Sequence, residues 1–173
     1  QQVSSAASDV YKRQGEYYAM SMKERVFLMN RVKELLNDRL PMIVGTGAIR
    51  TEDSIEYAKQ ARIAGADAIM IATPPYAYPT GREIALHALA IDREANLPVI
   101  LYNYPGRMSV NMDEETLDRL GRSKNFCAIK ESSGDPNRLH MLARDYPHIS
   151  LSLKICEDNL CLLYTSPSPR DTR

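Results

Sequence analysis

The chain has 173 residues, with 22 basic and 22 acidic side chains and a formal net charge of zero. A chain of this length has room for about one domain, and its neutral charge balance gives no electrostatic footprint for nucleic acid or an anionic membrane. No apolar run approaches the roughly 20 residues needed to span a bilayer, and the first residues lack the apolar core of a secretory signal.

Five short runs rich in β-forming residues recur along the chain, at 42–46, 68–72, 99–103, 126–130 and 149–153. Helical patterns fill the gaps between them. Near-continuous apolar runs are typical of parallel strands that are buried on both faces. The alternation of strands with helices therefore predicts an α/β chain built from βα units.

Capping residues mark where the helices begin. Ser21 and Glu24 form an S-x-x-E capping box before the first apolar stripe. Asp135 is followed by proline, which favours the first helical position. The predicted N-caps are Ser21, Thr51, Asp113 and Asp135. One helix followed by five strands with four intervening helices is the expected order.

Two architectures fit this order: an open doubly wound sheet and a (β/α)8 barrel. A doubly wound nucleotide-binding sheet carries G-x-G-x-x-G after its first strand. The sequence GTGA at 45–48 lacks the third glycine, so it is a weak match. A complete barrel needs about 250 residues, so a barrel would be incomplete here.

Polar and aromatic residues follow the strands at the end where a barrel builds its active site. The loop TPPYAYP, with Tyr76, follows the second strand. Tyr102 lies near the end of the third strand and Arg107 follows that strand. Lys130 ends the fourth strand. These positions make the four residues candidate site residues.

Lys130 precedes small residues in the sequence IKESSGD. A lysine leaving a strand can extend its amine to solvent or pair with Glu131. Alternatively, the amine is held in an apolar mouth, where desolvation favours its neutral form. A neutral amine attacks a ketone and forms a Schiff base, and small neighbours leave room for the substrate. Both interpretations are open at this point.

The other three candidates leave similar alternatives. Tyr102 is either an amphipathic aromatic residue at the rim or a phenol that relays protons. Arg107 is either a solvated loop residue or a clamp for a substrate carboxylate. Tyr76 either packs with its loop against the domain or belongs to an interface or a lid.

Cysteine and histidine positions give no sign of a metal site. Cys127, Cys156 and Cys161 have no metal-ligand spacing and form no even disulfide set. The histidines do not lie near them in a ligand spacing. We expect no metal, and the absence of a disulfide framework favours a cytoplasmic location.

The motif VILYNYPGR at 99–107, followed by Lys130 in AIKESSGD, resembles the dihydrodipicolinate synthase / N-acetylneuraminate lyase family. VGTGA and TPPYAYP also stand in the order that this family shows. The resemblance implies a pyruvate-dependent class I aldolase that needs no cofactor. It also implies a partial (β/α)8 TIM barrel of about five strands with intervening helices, truncated at both ends.

By this resemblance, Lys130 is the Schiff-base lysine for pyruvate or a related 2-oxo acid, and Tyr102 is the proton-relay tyrosine. Arg107 matches the arginine that binds the carboxylate of the second substrate, an aldehyde. Tyr76 matches a tyrosine that reaches the neighbouring subunit's site in tetrameric members, which implies a homotetramer for the complete protein.

The expected function is that of a Schiff-base-forming lyase or synthase. One alternative is another lyase or dehydratase of the family, acting on sugar acids or hydroxyproline-derived acids. The other is a phosphate- or nucleotide-binding α/β module that uses GTGA.

The two ends differ in composition from the rest. SSAASDVYKRQ near the start and CLLYTSPSPRD near the end resemble translated transposase-type sequencing adapters. We therefore predict a partial-barrel domain at 15–160, disordered tails at 1–14 and 161–173, and no activity for the chain alone. Gly15 and Glu16 resemble the end of the family's G-[TS]-T-G-E segment, which implies a place in the substrate-binding site.

Overall fold

The structure is a computed structural model that describes residues 17–153. Gly15, Glu16, Cys156, Cys161 and both predicted tails lie outside this range. A 3-10 turn at Tyr17–Ala19 precedes the helices α1 (Met22–Leu36), α2 (Thr51–Ile63), α3 (Gly81–Ala95), α4 (Pro105–Met108), α5 (Glu114–Leu120) and α6 (Pro136–Asp145). The strands are β1 (Ile43–Gly45), β2 (Ala68–Ala72), β3 (Val99–Asn103), β4 (Phe126–Glu131) and β5 (Ser150–Leu153).

The five strands form one parallel sheet in the order β1-β2-β3-β4-β5. Each strand pairs with the next one along the chain, as Ile69 of β2 does with Val99 of β3. A doubly wound sheet reverses its strand order at a switch point, whereas this order runs in one direction only. The doubly wound alternative is therefore wrong, and the prediction of a partial (β/α)8 barrel is confirmed.

The predicted caps explain where three helices begin. Ser21 Oγ accepts a hydrogen bond from the Glu24 N–H at 3.3 Å, and the Glu24 carboxylate accepts one from the Ser21 N–H at 2.8 Å. Asp113 and Asp135 cap α5 and α6. The chain enters each of these helices after a residue that satisfies one of the first free N–H groups.

The predicted N-cap at Thr51 is wrong by one residue. Arg50 occupies the cap position of α2 and makes no side-chain cap hydrogen bond, while Thr51 is the first helical residue. Thr51 Oγ1 lies 2.9 Å from Nδ1 of His87, a buried residue of α3. The hydroxyl therefore joins two helices instead of capping its own.

The two faces of the sheet differ in burial because alternate residues point to opposite sides of a strand. One face is fully buried beneath the helices, with Val44, Ile69, Ile71, Leu101 and Ile129 in the main core. The other face is only half-buried within the described residues and carries Ile43, Met70, Ile100 and Ala128. In a closed barrel this second face lines the interior.

None of the helices within residues 17–153 has the length and apolar character that crossing a membrane requires.

Candidate active site

Lys130 and Tyr102 are brought together by strand pairing. Tyr102 of β3 lies opposite Lys130 of β4 in the parallel register and opposite Ala72 of β2 on its other side. Lys130 alternates with the core residue Ile129, so its side chain lies on the face that lines the barrel interior. Its Nζ atom lies 4.8 Å from the centre of the Tyr102 ring.

The Lys130 side chain does not extend to solvent, because the residue is only 7% exposed. The neighbouring Glu131 carboxylate forms a 2.7 Å ion pair with Nε of Arg138, a buried residue of α6. Glu131 is therefore engaged on the helix side of the sheet. The solvent alternative for Lys130 is wrong, and the amine lies at the carboxyl end of a strand beside a phenol ring.

Arg107 lies on the one-turn helix α4 and is exposed. Its guanidinium carbon lies 5.8 Å from the centre of the Tyr104 ring, and that ring lies 5.9 Å from the Tyr102 ring. Within residues 17–153, no carboxylate forms an ion pair with Arg107. The rings of Tyr102 and Tyr104 thus form a chain of contacts from the Lys130 amine to the Arg107 guanidinium. A guanidinium in this position can bind an anion.

Tyr76 is 90% exposed in the loop between β2 and α3, and Tyr78 is 69% exposed. Both adopt left-handed backbone angles, with φ of 66° and 45°. Non-glycine residues seldom adopt this conformation, and it is found most often in turns and at functional sites. Of the two alternatives for Tyr76, packing against its own domain is wrong, because its ring is exposed to solvent.

Arg25 of α1 holds the GTGA segment, which begins at the last residue of β1, and nothing in the sequence indicates this role. The Arg25 guanidinium donates to the carbonyl oxygens of Gly45 and Gly47, at 2.7 and 3.0 Å. Its carbon lies 3.3 Å from the centre of the Tyr57 ring. The Thr46 N–H donates to the Met70 carbonyl. A phosphate loop presents free N–H groups, whereas the N–H of Thr46 in this segment is already bonded, which disfavours the phosphate-binding alternative.

Ser132 is one of the small residues that follow Lys130 in the sequence, and the structure adds that it is buried. Its N–H donates to the Asn103 carbonyl at 2.9 Å, which extends the strand pairing beyond β4. Ser132 is 6% exposed, and its hydroxyl has no hydrogen-bond partner among residues 17–153. It lies two positions after Lys130, so the two side chains lie on the same side of the chain. A buried hydroxyl of this kind is suited to bind a ligand atom.

The described part of the chain holds no group of three or more histidine, cysteine or carboxylate residues that could bind a metal ion.

The sequence model of the dihydrodipicolinate synthetase family matches residues 10–153. The 4-hydroxy-tetrahydrodipicolinate synthase of Bacillus velezensis is 39% identical over 133 residues, which cover 77% of this chain and 46% of that protein. The enzyme of the same name from Geobacter sulfurreducens is 42% identical over 120 residues, covering 69% of this chain and 41% of that protein. The chain thus spans about half the length of the curated relatives it matches.

Solved structures show the same relationship. A chloride-inhibited dihydrodipicolinate synthase from Acinetobacter baumannii, complexed with pyruvate, superposes with a TM-score of 0.78 at 35% identity. That match covers 83% of this chain and 50% of the other chain. Dihydrodipicolinate synthase DapA-2 from Bacillus anthracis has a TM-score of 0.79 at 32% identity, covering 87% and 51%. The chain belongs to the dihydrodipicolinate synthetase family.

Proposed function

We propose that the complete protein is a Schiff-base-forming enzyme of the 4-hydroxy-tetrahydrodipicolinate synthase type, acting on pyruvate or a related 2-oxo acid. The buried amine of Lys130, 4.8 Å from the centre of the Tyr102 ring, is the observation that carries this proposal. The pyruvate bound to the similar enzyme from Acinetobacter baumannii supports the choice of substrate.

In the proposed reaction, the neutral Lys130 amine attacks the keto carbon of the 2-oxo acid and a C–N bond forms. The resulting carbinolamine loses its hydroxyl as water, which breaks the C–O bond and leaves an iminium. Tyr102 supplies the proton for the departing hydroxyl and later regains one. Loss of a proton from the methyl carbon then gives the enamine that adds to the aldehyde.

The second substrate is proposed to be an aldehyde that carries a carboxylate. Arg107 is exposed, and the Tyr104 ring lies beside its guanidinium. A planar guanidinium can bind a carboxylate through two parallel hydrogen bonds. The buried hydroxyl of Ser132 is a further candidate for a hydrogen bond to the substrate.

Tyr76 is proposed to act across a subunit interface in a homotetramer of the complete protein. The support is its 90% exposure in the loop between β2 and α3, together with the sequence resemblance. Gly15 and Glu16 are proposed to belong to the substrate-binding site on the sequence resemblance alone.

We propose that the 173-residue chain is inactive by itself and that its domain comprises residues 15–160. The interior face of the sheet is only half-buried within residues 17–153, and efficient Schiff-base chemistry needs a site that excludes water. Sequencing the source gene across Gln14–Gly15 and Leu160–Cys161 tests the boundaries, since adapter-derived tails are absent from genomic DNA. Turnover by the 173-residue chain at the rate of the complete protein would contradict the proposed inactivity.

Borohydride reduction in the presence of pyruvate tests the proposed chemistry in the complete protein. Peptide mass analysis should find the reduced pyruvate adduct on Lys130, and Lys130→Ala should abolish it. Lys124→Ala is the matched control, because Lys124 is exposed just before β4. Absence of an adduct in the wild-type protein, or turnover that survives Lys130→Ala, would overturn the proposed function.

A further inference from the structure

Three buried polar side chains form a cluster beneath the rim of the sheet. Asn103 at the end of β3 is 0% exposed, Glu131 at the end of β4 is 3% exposed, and Arg138 on α6 is 7% exposed. A charged pair at this depth loses its hydration, so it is retained only where its hydrogen bonds are well satisfied.

Three groups donate hydrogen bonds to the Glu131 carboxylate, and both of its oxygens act as acceptors. Asn103 Nδ2 lies 3.0 Å from both carboxylate oxygens. The Ser133 N–H lies 2.8 Å from Oε1, and Arg138 Nε lies 2.7 Å from Oε2. An amide at position 131 would point an NH2 group at donors, so it could not reproduce this arrangement.

The same cluster closes the base of the loop at 104–112. The Asn103 amide donates to Asn111 Oδ1 at 2.7 Å, and its Oδ1 accepts the Met112 N–H at 3.1 Å. Arg138 Nη2 donates to the Met112 carbonyl. Both ends of the loop are therefore fixed to one carboxylate, either directly or through a single residue. This loop carries Arg107.

We propose that Glu131 is a positioning residue that fixes the loop at 104–112, and with it Arg107, relative to Lys130. Lys130 and Glu131 are adjacent on β4 and point to opposite faces, so one strand end supports both sides of the site. The catalytic part of this inference rests on the proposed function, in which Lys130 and Arg107 hold the two substrates. Position 131 touches neither substrate, and it acts through Asn103 and Arg138.

Glu131→Gln in the complete protein tests the inference, with Glu115→Gln as the matched control. Glu115 also pairs with an arginine, Arg119 at 2.8 Å, but on the exposed surface of α5. The double variant Asn103→Asp/Glu131→Gln, called the reversed pair below, exchanges the amide at position 103 and the carboxylate at position 131. The new carboxylate at 103 accepts a hydrogen bond from the new amide at 131 and keeps the acceptor for the Met112 N–H. The rotatable Asn111 amide can then turn its NH2 group toward position 103.

For Glu131→Gln we expect kcat/KM for the aldehyde to fall at least about tenfold, while the pyruvate adduct on Lys130 forms within about threefold of the wild-type rate. The adduct persists because β3 and β5 hold β4 in register on both sides. The reversed pair should recover only part of the loss, because it restores the hydrogen bond between positions 103 and 131 while the NH2 group at 131 still faces one of the donors Ser133 and Arg138. Glu115→Gln should change neither quantity. Equal loss of adduct formation and aldehyde turnover, or no loss of either, would overturn the inference.

Amide hydrogen exchange separates this inference from the proposed function. Loop 104–112 should exchange faster in Glu131→Gln than in wild type, and at an intermediate rate in the reversed pair, whether or not the wild-type protein binds pyruvate. If the wild-type protein forms no pyruvate adduct on Lys130, the proposed function is wrong, but hydrogen exchange still tests the positioning role of Glu131. If Glu131→Gln does not fold, the reversed pair decides by the same exchange measurement. Failure of both variants to fold would assign the cluster to stability alone and overturn the proposal.

Discussion

The amine of Lys130 and the ring of Tyr102 face each other across two paired strands, with Nζ 4.8 Å from the ring centre. Backbone pairing fixes this relationship, because the two residues are register partners at the carboxyl ends of β4 and β3. Groups carried on strands are held more rigidly than groups carried on loops. The ring and the phenol hydroxyl can therefore be tested separately without moving the amine.

Tyr102→Phe keeps the ring beside Lys130 and removes the hydroxyl. We expect turnover of the complete protein to fall by roughly 10²–10⁴-fold, the range typical for loss of a general acid–base group. Tyr104→Phe is the control, since its ring lies 5.9 Å from that of Tyr102 and no proton transfer is assigned to it. Steady-state rates and borohydride trapping provide the measurement. Turnover of Tyr102→Phe within about threefold of wild type would exclude the proton-relay role.

Much of the fold could be predicted because the signals are local. The run AIMIA forms β2 at the predicted positions, and the Ser21 capping box begins α1 as expected. The position of Lys130 near the end of β4 follows from the run FCAIK. Each of these features depends on neighbours within a few residues, and the sequence displays those neighbours directly.

The remaining features depend on partners that are distant in sequence. Arg25 binds carbonyl groups 20 and 22 residues away. The Glu131 cluster joins residues of two strands and a helix, and Thr51 leaves its expected cap to bond His87. Charged and polar residues are usually exposed, so only tertiary structure reveals that these are buried and paired.

Tyr76→Phe should leave the melting temperature unchanged, because the ring is 90% exposed in the chain. If the hydroxyl serves a neighbouring subunit's site, turnover of the complete protein should fall at least about tenfold with the oligomeric state unchanged. Tyr78→Phe, in the same loop and 69% exposed, is the control. Light scattering and steady-state rates measure both quantities. Unchanged turnover in Tyr76→Phe would remove this residue from the site.

His87 should make the stability of the chain depend on pH. Burial lowers the pKa of this imidazole from its ordinary 6.5 to about 4 in the folded state. Between these values the unfolded chain binds more protons than the folded chain, so folding stability rises with pH in that window. The stabilisation is complete above pH 6.5 and is lost as the pH falls toward 4. By linkage, His87 alone removes about 2 kcal/mol of stability between pH 7 and pH 5.

Denaturant unfolding of the chain at pH 7 and pH 5 measures this loss. His87→Gln cannot titrate, so its difference between the two pH values should be about 2 kcal/mol smaller than that of wild type. The variant should be less stable at pH 7, because it disturbs the bond to Thr51 and the surrounding packing. His140→Gln, at an exposed position on α6, should keep the wild-type difference. An equal difference in His87→Gln and wild type would show that other groups cause the acid sensitivity.

Ser132→Ala should separate stability from function. The hydroxyl is buried and has no hydrogen-bond partner among the described residues, so its removal should leave stability unchanged or raise it by up to about 1 kcal/mol. In the complete protein the same change should raise KM for a substrate several-fold, because a group held for the ligand is lost. Ser54→Ala is the matched control: its hydroxyl is equally buried and unpartnered, but on α2. Both variants should behave alike in unfolding and differ in KM. A Ser132→Ala enzyme with wild-type KM for both substrates would show that this hydroxyl, like that of Ser54, is an unsatisfied group without a ligand.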